Sequence, residues 1–185
     1  MAITTSDLAA NAWPATINQT LGGWRLRFAG GITRRANSVG PNGSSEGIAL
    51  EERLRIVEVS YDRRGYPARY HISPAGQPVN LDQALAERGY AIDAPSEVRV
   101  ATIGDLLSAT EDTAGLDATV IEAFTEPWLA AYRRSEGVAA GTGMGVLERG
   151  WLGLFCMATP PDFRRQGGAK AILRSLANWA RRRHG

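Results

Sequence analysis

The feature that most constrains this chain lies near its C-terminal end. Trp151, Leu152, Leu154, Phe155, Cys156 and Met157 form a nearly continuous apolar run, closed by Thr159-Pro160-Pro161 and followed by a glycine-containing turn and a long amphipathic segment. An apolar run of this length, bounded by prolines, predicts a central strand buried on both faces. From Gly168 to Arg182, the residues Ala169, Ile172, Leu173, Leu176 and Ala180 share one face at helical spacing. Strand, turn and helix in that order bring a helix N-terminus to the end of the strand. Such a terminus presents unpaired N–H groups and the positive end of the helix dipole to an anion. The connecting sequence is Pro161-Asp162-Phe163-Arg164-Arg165-Gln166-Gly167-Gly168-Ala169-Lys170. Gly167 and Gly168 let a phosphate approach the backbone, and Arg164, Arg165 and Lys170 add positive charge beside it. The segment predicts a pyrophosphate loop bound mainly by main-chain amides.

Upstream, Trp24-Arg25-Leu26-Arg27-Phe28 alternates with period two and predicts a half-buried strand between Gly22-Gly23 and Gly30-Gly31. Leu50, Leu54, Val57 and Tyr61 predict an amphipathic helix ending at Gly65, and Ala68, Tyr70 and Ile72 a further strand. Asn80 is a candidate cap for a short helix carrying Leu81, Ala84 and Leu85, stopped by Gly89. A strand around Val98–Ala101 closes this first lobe, and residues 95–115 read as the crossover to a second. There, Val120, Phe124, Trp128, Leu129 and Tyr132 predict a helix over Thr119–Arg134, kinked or restarted at Pro127. Gly137–Leu147 and Trp151–Ala158 predict a β-hairpin around Glu148-Arg149-Gly150. The two lobes echo each other weakly in element order, which is compatible with an internal duplication.

Composition narrows the classes of function. No segment approaches the roughly 18 uninterrupted apolar residues of a membrane span, and Met1–Trp13 lacks the basic start and apolar run of a secretory signal. The single cysteine, Cys156, excludes an internal disulfide and fits a reducing, cytoplasmic setting. Cys156 itself reads as a small buried hydrophobe in mid-strand. His71 and His184 have no spacing to cysteines or acids that suggests a metal site. Gly141-x-Gly143-x-Gly145 reads as a hairpin strand, because Val146 stands where a dinucleotide loop needs a glycine and no helix follows. The formal net charge is +2, but Arg164, Arg165, Lys170, Arg174, Arg181, Arg182 and Arg183 gather at the end of the chain. This basic region suits an anionic ligand or a nucleic acid.

Arg164-x-x-Gly167-x-Ala169 resembles the Gln/Arg-x-x-Gly-x-Gly/Ala acetyl-CoA signature of the GNAT superfamily of N-acetyltransferases. The first lobe resembles an actinobacterial-type branch of that superfamily in Gly23-Trp24-x-Leu26-Arg27, in Thr33-Arg34-Arg35-Ala36-Asn37-Ser38-Val39 and in Leu81-Asp82-x-x-Leu85-x-x-x-Gly89-Tyr90. The resemblance covers nearly the whole chain. It implies an α/β GNAT fold, a mixed central sheet flanked by helices. Residues 1–102 would form a degenerate GNAT-like lobe and residues 103–185 an acetyl-CoA-binding lobe that stops after its loop helix, an incomplete C-terminal half.

By the same resemblance acetyl-CoA is the co-substrate and a primary amine the acceptor, attacking the thioester directly in a ternary complex. Cys156, Met157, Ala158 and Thr159, with Phe155, would line the pantetheine and thioester. Arg164, Arg165, Gln166, Gly167, Gly168, Ala169 and Lys170 would hold the pyrophosphate. A base must take a proton from the acceptor ammonium, whose free pKa is about 10. Glu148 and Glu126, followed by Glu122 and Glu136, are the acids near the hairpin and the preceding helix, and none is singled out by the sequence. Two other readings stay open: a catalytically inactive acyl-CoA-binding module of the same fold, and a nucleic-acid contact through the basic C-terminal helix.

Overall fold

The computed structural model describes residues 4–43, 47–123, 125 and 141–184. Its contacts divide the chain into two compact units, Met1–Ser96 and Glu97–Gly185.

The first unit opens with helix α1 (Thr5–Ala12), started by a capping box. The Thr4 hydroxyl accepts from the Asp7 amide at 3.2 Å, and the Asp7 carboxylate accepts from the Thr4 amide at 3.0 Å. Strands β1 (Ile17–Leu21) and β2 (Trp24–Phe28) form an antiparallel hairpin through Gly22 (φ 49°) and Gly23 (φ 80°). Two positive φ values in a two-residue loop match the right-handed twist of the strands they join. A short β3 (Val39–Gly40) pairs with the other side of β2, giving the order β1-β2-β3.

Helix α2 (Leu50–Asp62) and helix α3 (Leu81–Glu87) complete the core of this unit. Trp24, Leu26 and Phe28 of β2 bury against Val39, against Leu54, Val57 and Tyr61 of α2, and against Leu81 and Leu85 of α3. Each such side chain contributes about 1.5–3 kcal/mol through burial. The other face of β2 carries Arg27, whose guanidinium donates to the carbonyls of Ala10 and Trp13 around the end of α1. Asn37, 1% exposed, organises the loop after β2. Its Oδ1 accepts from the amides of Ala29 (2.7 Å) and Gly31 (3.0 Å), and its Nδ2 donates to the Thr33 carbonyl at 2.7 Å.

In the second unit, α4 (Ile103–Ala109) is capped by Thr102, whose hydroxyl accepts from the Asp105 amide at 3.0 Å. Strands β4 (Thr142–Glu148) and β5 (Trp151–Ala158) form the expected hairpin, turning through Arg149 (φ 48°) and Gly150 (φ 84°). After a 3-10 turn at Pro161–Phe163 comes α5 (Gly168–His184), which packs on β4, β5 and α4. Arg174 donates to the Leu107 carbonyl at 2.9 Å, which also accepts from the Thr110 amide at 3.3 Å at the end of α4.

Several expectations need correction. Residues 68–72 make no strand: Tyr70 forms an isolated parallel bridge with Val39, through Val39 N–H to the Arg69 carbonyl and His71 N–H to the Val39 carbonyl, both 2.8 Å. Pro67 and Pro74 flank the segment, and its partner β3 spans only two residues. No strand forms at Val98–Ala101 either. Val98 and Val100 are 74% and 66% exposed, so their alternation has no sheet to face. Residues 119–123 carry no helix, and the remainder of the expected 119–134 helix, Thr125 apart, lies outside the described residues. Residues 95–115 are not simple crossover, since α4 lies within them. Strand β5 is not buried on both faces: it pairs with β4 alone among the described residues, and Trp151 and Met157 are 48% and 39% exposed. The described residues thus hold an α/β arrangement with two antiparallel sheets, of three and two strands, in place of one mixed central sheet.

Candidate functional site

The hairpin register changes at its open end. Glu148 faces Trp151 and Met144 faces Phe155, but Thr142 faces Ala158, so Cys156 and Met157 together oppose Gly143. This is a β-bulge with one extra residue in β5, and Cys156 takes the left-handed conformation (φ 52°). The bulge removes one residue of β5 from the regular ladder just before the strand ends. Thr142, opposite Ala158, is 6% exposed, and its hydroxyl has no hydrogen-bond partner.

The Gly141-x-Gly143-x-Gly145 pattern has a packing cause. A period of two puts these glycines on one face of β4, and that face meets α5. A Cβ at Gly143 would fall 2.7 Å from Ile172 Cγ2 and 2.5 Å from Met157 Sδ. At Gly145 it would be 3.0 Å from Leu176 Cδ2, and at Gly141 3.4 Å from Ile172 Cδ1. The glycines seat the helix against bare strand backbone. The buried face of α5 is accordingly Ala171, Ile172, Leu176, Ala177 and Ala180. Leu173 is half-buried and Ala169 is exposed, a small rotation from the face read in the sequence.

Between β5 and α5 the chain turns sharply. Arg164 is extended (φ −72°, ψ 150°), and its Nε donates back to the Thr159 carbonyl at 3.1 Å. Gln166 Nε2 donates to the Asp162 carbonyl at 2.7 Å. Arg165 (φ 61°) and Gly167 (φ 89°) are both left-handed. The Gly167 carbonyl accepts from the Ala171 amide at 3.0 Å, which starts the helix. The amides of Gly168, Ala169 and Lys170 therefore have no acceptor within the helix. Arg164, Arg165, Gln166, Ala169 and Lys170 are exposed, whereas Gly167, Gly168, Cys156, Ala158 and Thr159 are half-buried.

Gly167 has an additional role that its spacing does not reveal. The position of its missing Cβ lies 2.7 Å from the Thr113 carbonyl oxygen and 3.3 Å from Ala114 Cβ. The Asp112–Leu116 turn packs there, held by the Ala114 amide on Asp112 Oδ1 (2.9 Å) and the Leu116 amide on the Thr113 carbonyl (3.0 Å). A side chain at 167 would thus collide with the protein's own backbone in addition to adopting a strained φ.

The acid candidates are dispersed. Glu148 stands at the tip of the hairpin, five residues along β4 from Gly143. At strand rise this is about 17 Å from the bulge. Glu122 pairs with Arg183. Glu126 and Glu136 lie outside the described residues. The basic helix is partly occupied by internal contacts too: Arg174 bonds the Leu107 carbonyl, Arg181 the Asn178 side chain and Arg183 Glu122. Among the described residues no group of three or more His, Cys, Asp or Glu side chains could hold a metal ion, and no helix is long and apolar enough to cross a membrane.

Over residues 4–185 the chain matches the family described as Probable histone acetyltransferase Rv0428c C-terminal. It is 26% identical over 204 residues to the Uncharacterized N-acetyltransferase YobR of Bacillus subtilis (strain 168), an alignment covering 94% of this chain and 81% of that protein. No solved structure matches significantly. With the match spanning both units, the chain belongs to the Rv0428c C-terminal acetyltransferase family and is an acetyltransferase of GNAT type.

Proposed function

We propose that the chain moves an acetyl group from acetyl-CoA to a primary amine, on a GNAT-type lobe formed by residues 103–185 that follows a degenerate lobe at 1–102. The observation that carries this reading is the junction of β5 and α5: a bulged strand end, a turn with two left-handed residues and three helix-start amides beside exposed Arg165 and Lys170. A pyrophosphate fits that turn, since oriented amides, the helix dipole and two cations all favour negative charge there. Cys156, Met157, Ala158 and Thr159 would then run beside the pantetheine. In the transfer the new N–C bond forms as the C–S bond breaks, and the thiol leaves with a proton. Glu148 is too far along β4 to take the ammonium proton at the bulge directly.

The acceptor is an amine of the lysine or N-terminal type. The family description names histone acetylation, which is the same chemistry on a lysine side chain.

Because Gly167 touches Thr113, substituting it would disturb packing along with any ligand. Exposed Arg165 and Lys170 give a cleaner test. In calorimetric titration with acetyl-CoA, Arg165→Glu/Lys170→Glu is expected to bind about tenfold or more weakly, with an unchanged melting temperature. Equal affinity in the double variant, or no binding by the folded parent, would overturn the loop assignment. Binding with no release of free thiol in the presence of a lysine peptide would leave the inactive acyl-CoA-binding module as the better reading.

A further inference from the structure

The first unit contains a buried charge that no acidic side chain among the described residues balances. Arg53, on α2, is 1% exposed, and its Nε and Nη1 have no hydrogen-bond partner. None of the ion pairs among the described residues includes it. Burial lowers its proton affinity, and no acidic group acts to raise it. The guanidinium carbon lies 4.3 Å from the centre of the Trp24 ring. That ring is fully buried and fixed by its Nε1 donating to the Gln77 carbonyl at 2.8 Å. Arg27, the other deeply buried arginine, gives its Nη2 to two backbone carbonyls. Arg53 has a π face on one side, and its Nε and Nη1 N–H groups are left without acceptors. Buried cations in proteins are ordinarily paired or fully hydrogen-bonded.

We propose that Arg53 is the recognition group of a site for a small oxyanion, a carboxylate or a phosphate, enclosed by α2, Trp24 and the Gly22-Gly23 turn. The guanidinium presents Nη2 with either Nε or Nη1 as a two-pronged edge that matches two oxygens of such an anion. Trp24 covers the face of the cation, and the N–H edges take the ligand. The Gly22 backbone lies beside the arginine stem, with the Ile48 side chain close by. A Cβ at Gly22 would be 3.1 Å from Arg53 Cδ, and one at Gly43 would overlap Gly23 at 2.1 Å from its carbonyl oxygen. A hairpin tip made of glycines can shift to admit a small molecule. The site lies in the first unit and is independent of the acetyl-CoA loop.

The test is thermal unfolding of the full chain in increasing sodium acetate or inorganic phosphate, with ionic strength held constant by sodium chloride. One probe or both is expected to raise the melting temperature saturably. The rise should persist in Arg165→Glu/Lys170→Glu, which separates it from phosphate held by the α5 turn, and vanish in Arg53→Met. Without anion, Arg53→Met should melt no lower than the parent, because methionine keeps the packing on Trp24 and removes an unpaired charge. Arg53→Lys, which keeps the charge without the fork, should bind about tenfold or more weakly. No saturable rise in the parent would overturn the site, as would equal rises in the parent and the folded Arg53 variants. A melting temperature for Arg53→Met far below the parent at every anion concentration would make Arg53 part of the Trp24 stack alone.

Discussion

One hydroxyl in the core of the first unit does the work of a missing strand. β3 pairs with β2 at Arg25 and Leu26 and stops, so the next backbone groups, on Arg27, need another partner. Tyr61 supplies it: its hydroxyl donates to the Arg27 carbonyl at 3.0 Å and accepts from the Arg27 amide at 3.3 Å. The ring is fully buried against Phe28, their centroids 4.6 Å apart. Tyr61→Phe keeps the ring and strands both backbone groups, so urea unfolding should show a loss of about 1–3 kcal/mol. Burial pushes the Tyr61 hydroxyl up to about 12 from its ordinary 10. A raised pKa for this acid means that the folded state holds the proton more tightly than the unfolded state does. The stabilisation is therefore complete below pH 10 and is lost as pH rises toward 12. The alkaline decline in melting temperature over that window should be shallower in Tyr61→Phe. A decline of equal slope in both proteins would remove Tyr61 as its source.

At the scale of elements, the glycine face of β4 sets how closely α5 can lie. Gly143→Val would drive a branched side chain into Ile172 and Met157, where even a Cβ comes within 2.7 Å of both. Overpacking of this kind costs about 1–3 kcal/mol, read as a lower midpoint in denaturant. A variant as stable as the parent would mean that α5 rides further from β4. What the sequence makes legible here follows from periodicity. α2, α3 and α5 each bury a face at helical spacing, β2 alternates as a strand does, and each forms where that spacing places it. α1 and α4 bury no residue fully, and the apolar spacing of α4 (Ile103, Leu106, Leu107) spans a single turn. Their signal is the cap: Thr4 with Asp7, and Thr102 with Asp105, each a Thr-x-x-Asp start. The alternation at Val98–Ala101 failed for the opposite reason, a strand pattern without a neighbour. At the candidate site, the turn and its cations could be read from residue types, because glycine and arginine report local needs. The bulge at Cys156, the Thr113 carbonyl against Gly167 and the unpaired Arg53 could not, since each depends on what another segment brings to it.

For the whole molecule, the two units each have their own buried residues: the Trp24 cluster in one, and Ala171, Ile172, Leu176, Ala177 and Ala180 of α5 in the other. Between α3 and α4, residues 91–102 have no regular structure and are exposed, with Ile92, Val98 and Val100 all at the surface. Arg99 in this stretch is a position where trypsin should cut before Arg53 or Arg174, since its backbone makes no ladder or helix that must open beforehand. Mass spectrometry of a brief digest should find the pair of fragments divided after Arg99. Earlier cleavage after Arg53 or Arg174, both inside helices, would contradict this arrangement of stable and open backbone.

The bulge in β5 carries a consequence for how this strand came to have its length. With Cys156 or Met157 removed, Phe155 would still face Met144 and Ala158 would still face Thr142, and the ladder would be regular. The turn into α5 would start from the same place. The chain therefore holds one residue more than its hairpin needs, and keeps a non-glycine residue left-handed to accommodate it, at a cost of about 1–2 kcal/mol. Folding alone would favour the shorter strand. A deletion of either residue would remove the bulge while the rest of the hairpin stayed in register.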